Sequence, residues 1–207
     1  MPDTAFAHLV ELLKWRRDVR HFSTAPVAPG LVQCLIDAAQ LSPSVGFSQP
    51  WRFVLVESPE ARAKIRASFE SARVAAAGQY DTPAQQEYLR LKLAGLDRAP
   101  VHFAVFCDEQ TQFGRGLGRQ TMPEMVEYSV VMAVHTLWLA AAALGLGLGW
   151  VSILRVEQVL AALDVPESWR LVAYLCVGYP EQPSLEPELV RAGWETRDPR
   201  AAQVLLR

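Results

Sequence analysis

Arg16-Arg17-Asp18-Val19-Arg20-His21-Phe22 is the stretch on which the reading of this chain turns. Three guanidinium groups fall within five residues, with one carboxylate among them. The 207-residue chain has a formal net charge of only -2, so this density is local. Arginine's planar fork suits bidentate capture of phosphate, and it keeps its charge when partly buried. The cluster therefore reads as a phosphate clamp. The plainer alternative is the last turn of a surface helix, where cations complement the helix dipole. Asp18 favours the clamp, because a lone carboxylate set among cations is poised for chemistry and costly to arrange by chance.

Upstream, Phe6, Leu9, Val10 and Leu13 recur at helical spacing, so a first helix runs into the cluster. Downstream, Leu31, Val32, Leu35, Ile36 and Ala39 mark a second amphipathic helix. It stops before Ser42-Pro43-Ser44-Val45-Gly46, a loop of small residues. Trp51-Arg-Phe-Val-Leu-Val reads as a strand. Ser58-Pro59-Glu60 and Thr82-Pro83 are helix starts. Residues 101–107 form a second strand, and 110–122 a polar, glycine-rich loop. A helix over 123–144 is apolar nearly all round, which puts it in the core or at a subunit interface. Strands over 149–153 and 171–177 flank a short helix through Val159, Leu160 and Leu163. Helices and strands without strict alternation predict one α+β domain over 1–207. The tail from about 181 has few apolar anchors, and the expectation is that it wraps a partner subunit.

Composition narrows the function. Hydrophobic residues make up 51%, enough for a sizeable core. A pI near 6.1 argues against nucleic-acid binding. Cys34, Cys107 and Cys176 are widely spaced and fit buried thiols in a reducing cytoplasm. The first residues lack the pattern of a signal peptide. Residues 130–154 carry no formal charge and are long enough to span a bilayer, but Gly145, Gly147 and Gly149 interrupt them. The expectation is a buried helix, a turn and a buried strand, with no membrane partner.

Gly114-x-Gly116-x-Gly118 and Gly145-x-Gly147-x-Gly149 look like nucleotide-binding patterns but lack the strand-then-helix context. The second set suits close approach of backbone to a flat ligand or another helix. His8, His21, His102 and His135 have no metal-like spacing, so no metal is expected. Ser152 has no assignable histidine–acid pair, which leaves a hydrolase triad unsupported. Ser44 and Gln49 suit hydrogen bonds to a polar ring edge, and equally a structural loop.

Further stretches complete the pattern: Ser42-Pro-Ser-Val-Gly-Phe-Ser-Gln-Pro-Trp-Arg-Phe, Tyr88-Leu-Arg-Leu-Lys-Leu-Ala-Gly, Leu117-Gly-Arg and Tyr128-Ser. To these add Leu137-Trp-Leu-Ala-Ala, Gly147-Leu-Gly-Trp-Val-Ser-Ile, Leu185-Glu-Pro-Glu-Leu and Gly193-Trp. With the arginine cluster they resemble, in order, the FMN-dependent nitroreductase-like superfamily. The match is closest to its flavin-destroying branch, the 5,6-dimethylbenzimidazole synthase (BluB) family. Asp18, where ordinary nitroreductases carry Ser, and the Trp-Val-Ser-Ile strand are the more specific signals. His135-Thr136 departs from the Gln-Asn that the resemblance leads one to expect, and His21-Phe22 looks more like the general nitroreductase pattern.

The resemblance implies a nitroreductase-like fold, a mixed, mainly antiparallel sheet flanked by helices. It implies a homodimer with FMN at the interface. Arg16, Arg17 and Arg20 would hold the phosphate and ribityl region, joined by Arg197 from the tail. Val19, Ser44, Gln49 and Gly149 would lie near the flavin, and Leu93 in a lid over 88–96. Asp18 and Ser152 would carry the catalysis. The implied reaction fragments reduced FMN with molecular oxygen into 5,6-dimethylbenzimidazole, the lower ligand of vitamin B12, and a sugar phosphate. NAD(P)H would be an indirect electron donor, through a separate flavin reductase. Two other readings stay open: an FMN-dependent NAD(P)H nitroreductase or quinone oxidoreductase, and a non-catalytic FMN-binding protein.

Overall fold

Four strands form one sheet in the order β1-β2-β4-β3, in a computed structural model that describes residues 2–207. They are β1 (Trp51–Leu55), β2 (Val101–Asp108), β3 (Gly147–Val151) and β4 (Trp169–Gly178). Every neighbouring pair is antiparallel. The mixed character expected of the sheet reduces to one parallel bridge, Asp18 with Leu148.

The continuous apolar run of β2 reflects a strand covered on both faces. Phe103, Val105 and Cys107 face a core shared with α2 (Pro29–Gln40) and α5 (Met125–Ala143). Ala104 and Phe106 face a second core shared with α3 (Pro59–Ala77) and α6 (Val156–Leu163). Ser58 caps α3 by accepting from the Ala61 amide at 3.3 Å, as its Ser-Pro-Glu start signal requires. The helix α4 (Thr82–Arg90) starts one residue earlier than Thr82-Pro83 suggests, because Asp81 is its cap.

The helix α5 is long and apolar enough to cross a membrane. Here Val126, Val130, Ala133, Val134 and Leu137 of its sheet-facing side are packed into the core. Its opposite side leaves Tyr128 and Val131 exposed. The N-terminal helix α1 (Pro2–Trp15) packs beside it and likewise presents Phe6, Leu9 and Leu13 to solvent. At the departure from the family pattern, Thr136 accepts from the Ser42 hydroxyl at 2.7 Å, tying α5 to the loop before β1, while His135 is exposed.

Three expectations need correction. Strand β3 starts two residues earlier than the apolar pattern suggests and ends at Val151, so Ser152 lies just beyond it. Cys34 is exposed on α2; only Cys107 and Cys176 are buried, and burial pushes both thiols up to about 12. The tail is anchored on its own chain as far as Trp194. The amide of Glu181 donates to the His21 carbonyl, His21 meets Glu188 at 3.0 Å, and a short helix α7 (Glu188–Arg191) follows. Trp194 then packs edge-on against Tyr80, which stacks on Tyr88. The residues after Trp194 are exposed.

Buried His102 sets an acid limit on stability. Its Nδ1 lies 2.9 Å from the Tyr174 hydroxyl, and the residue is 1% exposed. Burial, and then the charge of Arg62, pull its pKa down to about 4. The unfolded chain protonates this group near pH 6.5 while the folded chain does not. Its contribution is therefore complete above 6.5 and is lost as pH falls toward 4, by on the order of 3 kcal/mol. His102→Gln is expected to flatten that part of the acid limb, as read from urea midpoints at pH 7 and 4.5. An acid limb as steep as in the unmutated protein would contradict it.

Candidate active site

After α1 the chain cannot continue as a helix, because residues 18–22 lie extended against the sheet. The Val19 amide donates to the Leu148 carbonyl at 3.0 Å, and Phe22 bridges Pro180. Gly147 and Gly149 make this possible. A Cβ on Gly149 would stand 2.2 Å from the Val19 carbonyl oxygen, and one on Gly147 within 2.9 Å of the Val19 side chain. The close approach expected at these glycines is thus made by the chain's own Val19. The Gly114-x-Gly116-x-Gly118 loop is also structural: its Gly114 packs on the Gly46 backbone.

This extended segment forms one wall of a groove of about 610 Å³. Arg17, Asp18, Val19 and Arg20 line it, with Trp138 of α5, Gly147 of β3 and tail residues including Pro180 and Glu186.

The three arginines divide into two roles. Arg16 stacks its guanidinium 4.8 Å from the centre of the Trp138 ring, with no hydrogen bond to it among the described residues. Trp138 Nε1 also donates to the Arg17 carbonyl at 3.1 Å, so one side chain orders both residues. Arg17 donates only to carbonyls, Nε to Leu185 at 2.7 Å and Nη1 to Arg16 at 2.6 Å, with Nη2 also on Leu185. Two of its five N–H groups remain uncommitted. Burial, then the charges of Arg16 and Arg197, push the Arg17 pKa below its ordinary value. Arg197 of the tail is thus near enough for its charge to act on Arg17, although neither it nor Arg16 lines the groove. No carboxylate pairs with Arg16, Arg17 or Arg197 among the described residues.

Arg20 is committed elsewhere. Its Nε and Nη2 grip Asp18 Oδ2 at 2.9 and 2.7 Å, and its Nη1 donates to the Lys92 carbonyl at 3.1 Å. The other Asp18 oxygen accepts the Trp150 amide at 3.1 Å. Ser152, two residues further along, is exposed at the end of β3 and does not line the groove.

Other expected site residues lie apart. Leu93 packs into the second core rather than into the groove. Ser44 and Gln49 sit in the loop before β1, where the Ser44 hydroxyl accepts the Gln49 amide at 3.1 Å. Neither lines the groove of its own chain. Trp138, the Trp150 amide and the Leu185 carbonyl are functional groups that the sequence does not single out. Only Trp138 offered a signal, as a large aromatic in an otherwise small apolar helix.

An uncompensated cationic cluster beside a carboxylate-bearing groove, on a helix-flanked antiparallel sheet, defines a class. The chain belongs to the nitroreductase family, whose profile matches residues 13–179. Within that family it is 54% identical over 188 residues to the 5,6-dimethylbenzimidazole synthase of Rhodospirillum rubrum, covering 91% of this chain and 89% of that protein. It is 45% identical to a 5,6-dimethylbenzimidazole synthase of Rhodobacter capsulatus, covering 92% of each. Among solved structures it resembles oxidized iodotyrosine deiodinase bound to FMN and 3-iodo-L-tyrosine. There the TM-score is 0.73 at 25% identity, covering 96% of this chain and 97% of that one.

Proposed function

We propose that this chain fragments reduced FMN, with molecular oxygen, into 5,6-dimethylbenzimidazole and a sugar phosphate. The observation that carries this reading is the 54% identity to a 5,6-dimethylbenzimidazole synthase over about nine-tenths of both chains.

The groove fits FMN at its charged end. Arg17 lines the groove with two free N–H groups, while Arg16, stacked on the groove residue Trp138, and Arg197 add charge beside it, so a phosphate dianion relieves the repulsion among them. Arg17→Ala is expected to weaken FMN binding by roughly 1.5–3 kcal/mol, about 10- to 150-fold, with a similar loss for Arg16→Ala. Fluorescence titration checks this, and unchanged affinity in both variants would remove the clamp.

Bound reduced FMN supplies the electrons and the ring that is fragmented, while the protein orients it and excludes competing reactions. Asp18, fixed at both carboxylate oxygens, takes or returns a proton at the junction of ring and ribityl chain. Ser152 lies outside the groove of its own chain; as the resemblance has it, it orients a ribityl hydroxyl or an oxygen atom of the reacting group once the site closes. The segment at 88–96, which packs Leu93 into the second core and reaches the groove through the Lys92 carbonyl on Arg20, is the lid that the resemblance implies closes the site against water. NAD(P)H serves as an indirect donor through a separate flavin reductase, and the reaction runs in the cytoplasm.

The working unit is a homodimer. The exposed apolar faces of α1 and α5 give a second copy its seat, and that copy supplies Ser44 and Gln49, which do not reach the groove of their own chain. Sedimentation velocity is expected to show a dimer at micromolar concentration; a stable monomer would rule it out. The functional test is aerobic incubation with reduced FMN, followed by mass analysis for 5,6-dimethylbenzimidazole. No product, with brisk turnover of nitroaromatics by NAD(P)H, would overturn the reading.

A further inference from the structure

We propose that Arg20 is a positioning residue that couples the Asp18 carboxylate to the lid segment at 88–96, rather than a third phosphate ligand. The catalytic consequence rests on the function proposed above; the coupling itself does not.

The geometry divides the Arg20 guanidinium between two clients. One edge, Nε and Nη2, grips a single Asp18 oxygen at 2.9 and 2.7 Å. The remaining nitrogen, Nη1, reaches the Lys92 carbonyl 72 residues away, at 3.1 Å. The Arg20 side chain is only 14% exposed, and unlike Arg17 its charge is already met by a carboxylate, so it draws a phosphate less than the unpaired arginines do. Asp18 is held on its far side by the Trp150 amide. The result is a continuous chain from lid backbone through guanidinium and carboxylate to β3.

The lid and the turn that follows it are fastened to the same extended segment at further points. Arg98 Nε donates to the Phe22 carbonyl at 2.9 Å. Lys92 Nζ meets both Asp97 oxygens at 3.0 Å, bracing the turn from within. Gly95 lies so close to the Phe22 ring that a Cβ there would stand 2.3 Å from it. Among these contacts, only the one to Arg20 leads on to a proposed catalytic group, Asp18.

Lifting the lid removes the Nη1 partner and leaves a part-buried guanidinium tethered by one edge. The carboxylate then loses the fixed direction that proton transfer requires. Closing the lid restores it as water is excluded, so the base is aligned only in the closed site. A lysine at this position cannot do the same, because an ammonium presents its donors from one nitrogen and cannot span a fork and a distant carbonyl.

The test compares the intact protein with Arg20→Lys and Asp18→Ala. The readouts are amide hydrogen exchange over 88–98 and 147–153, FMN affinity, and benzimidazole yield at saturating reduced FMN. Both variants are expected to speed exchange in the lid about tenfold, the scale of one charge-assisted bond in a local opening equilibrium. An Asp18 substitution should thus loosen a segment it does not touch. Arg20→Lys should bind FMN within about threefold of the unmutated protein, since Arg16, Arg17 and Arg197 remain, while yield falls at least about tenfold. Unchanged lid exchange in both variants would overturn the coupling. So would an Arg20→Lys protein that binds FMN as weakly as Arg17→Ala but has normal yield at saturation. If Arg20→Lys does not fold, lid exchange in Asp18→Ala decides. If the unmutated protein makes no benzimidazole, the exchange data still decide the coupling, and only the functional reading falls.

Discussion

Asp18→Asn is expected to bind FMN and yet make at least about 100-fold less 5,6-dimethylbenzimidazole than the unmutated protein, the scale of a lost general base. Binding should survive because the proposed phosphate clamp is Arg16, Arg17 and Arg197, none of which pairs with Asp18. The amide is the same shape as the carboxylate and keeps one acceptor oxygen, so Arg20 or the Trp150 amide retains a partner. It cannot take a proton at neutral pH. Reoxidation of reduced FMN by oxygen needs no protein base, so it should persist in the variant. The experiment therefore measures FMN affinity, reoxidation rate and benzimidazole yield on one preparation. Normal yield would reduce Asp18 to a structural partner of Arg20. A large loss of FMN affinity would mean that the Asp18–Arg20 pair builds the binding site itself.

Much of the fold was legible because its signals are local. The run at 101–107 announces a strand covered on both faces, and β2 is that strand. Ser58-Pro59 announces a helix start, and Ser58 caps α3. The charge-free stretch after Val130 announces a buried helix, and the sheet-facing side of α5 is in the core. The start of β3 was obscure because Gly147 and Gly149 contribute no side-chain pattern; their meaning lies in what approaches them. The tail looked unanchored because it is held mostly by backbone groups and one tryptophan. The Leu185 carbonyl and Glu181 amide leave no mark in composition.

The candidate site was legible as a set of charges but not as a division of labour. Three arginines in five residues suggest one clamp. Which of them is free for an anion depends on the Lys92 carbonyl, the Trp138 ring and Arg197, none of them adjacent in sequence. Ser44 and Gln49 matched their family positions, yet their own chain keeps them out of its groove. A motif identifies residue types at a spacing. It does not reveal where the fold puts them, or which hydrogen bonds are already taken.

Gly149→Ala is expected to be the most damaging one-carbon change near the groove. The added Cβ would stand 2.2 Å from the Val19 carbonyl oxygen and 3.3 Å from its carbon. These are backbone atoms, so no rotamer change relieves the clash. Moving residues 18–20 away stretches the Val19 amide bond to Leu148, at 3.0 Å, and the Trp150 amide bond to Asp18, at 3.1 Å. Overpacking plus two weakened hydrogen bonds gives a destabilisation of roughly 2–4 kcal/mol. For a chain of this size that lowers Tm by about 4–16 °C. FMN affinity should fall as well, because Arg17 and Asp18 move with the segment. Gly30→Ala is the control: nothing lies within 4 Å of its Cβ position, and it sits in the first turn of α2. That change should be neutral or stabilising by up to about 1 kcal/mol. Calorimetry and FMN titration on the two variants decide the matter. A Gly149→Ala protein with unchanged Tm and affinity would mean that the extended arginine segment is not seated on β3 as described.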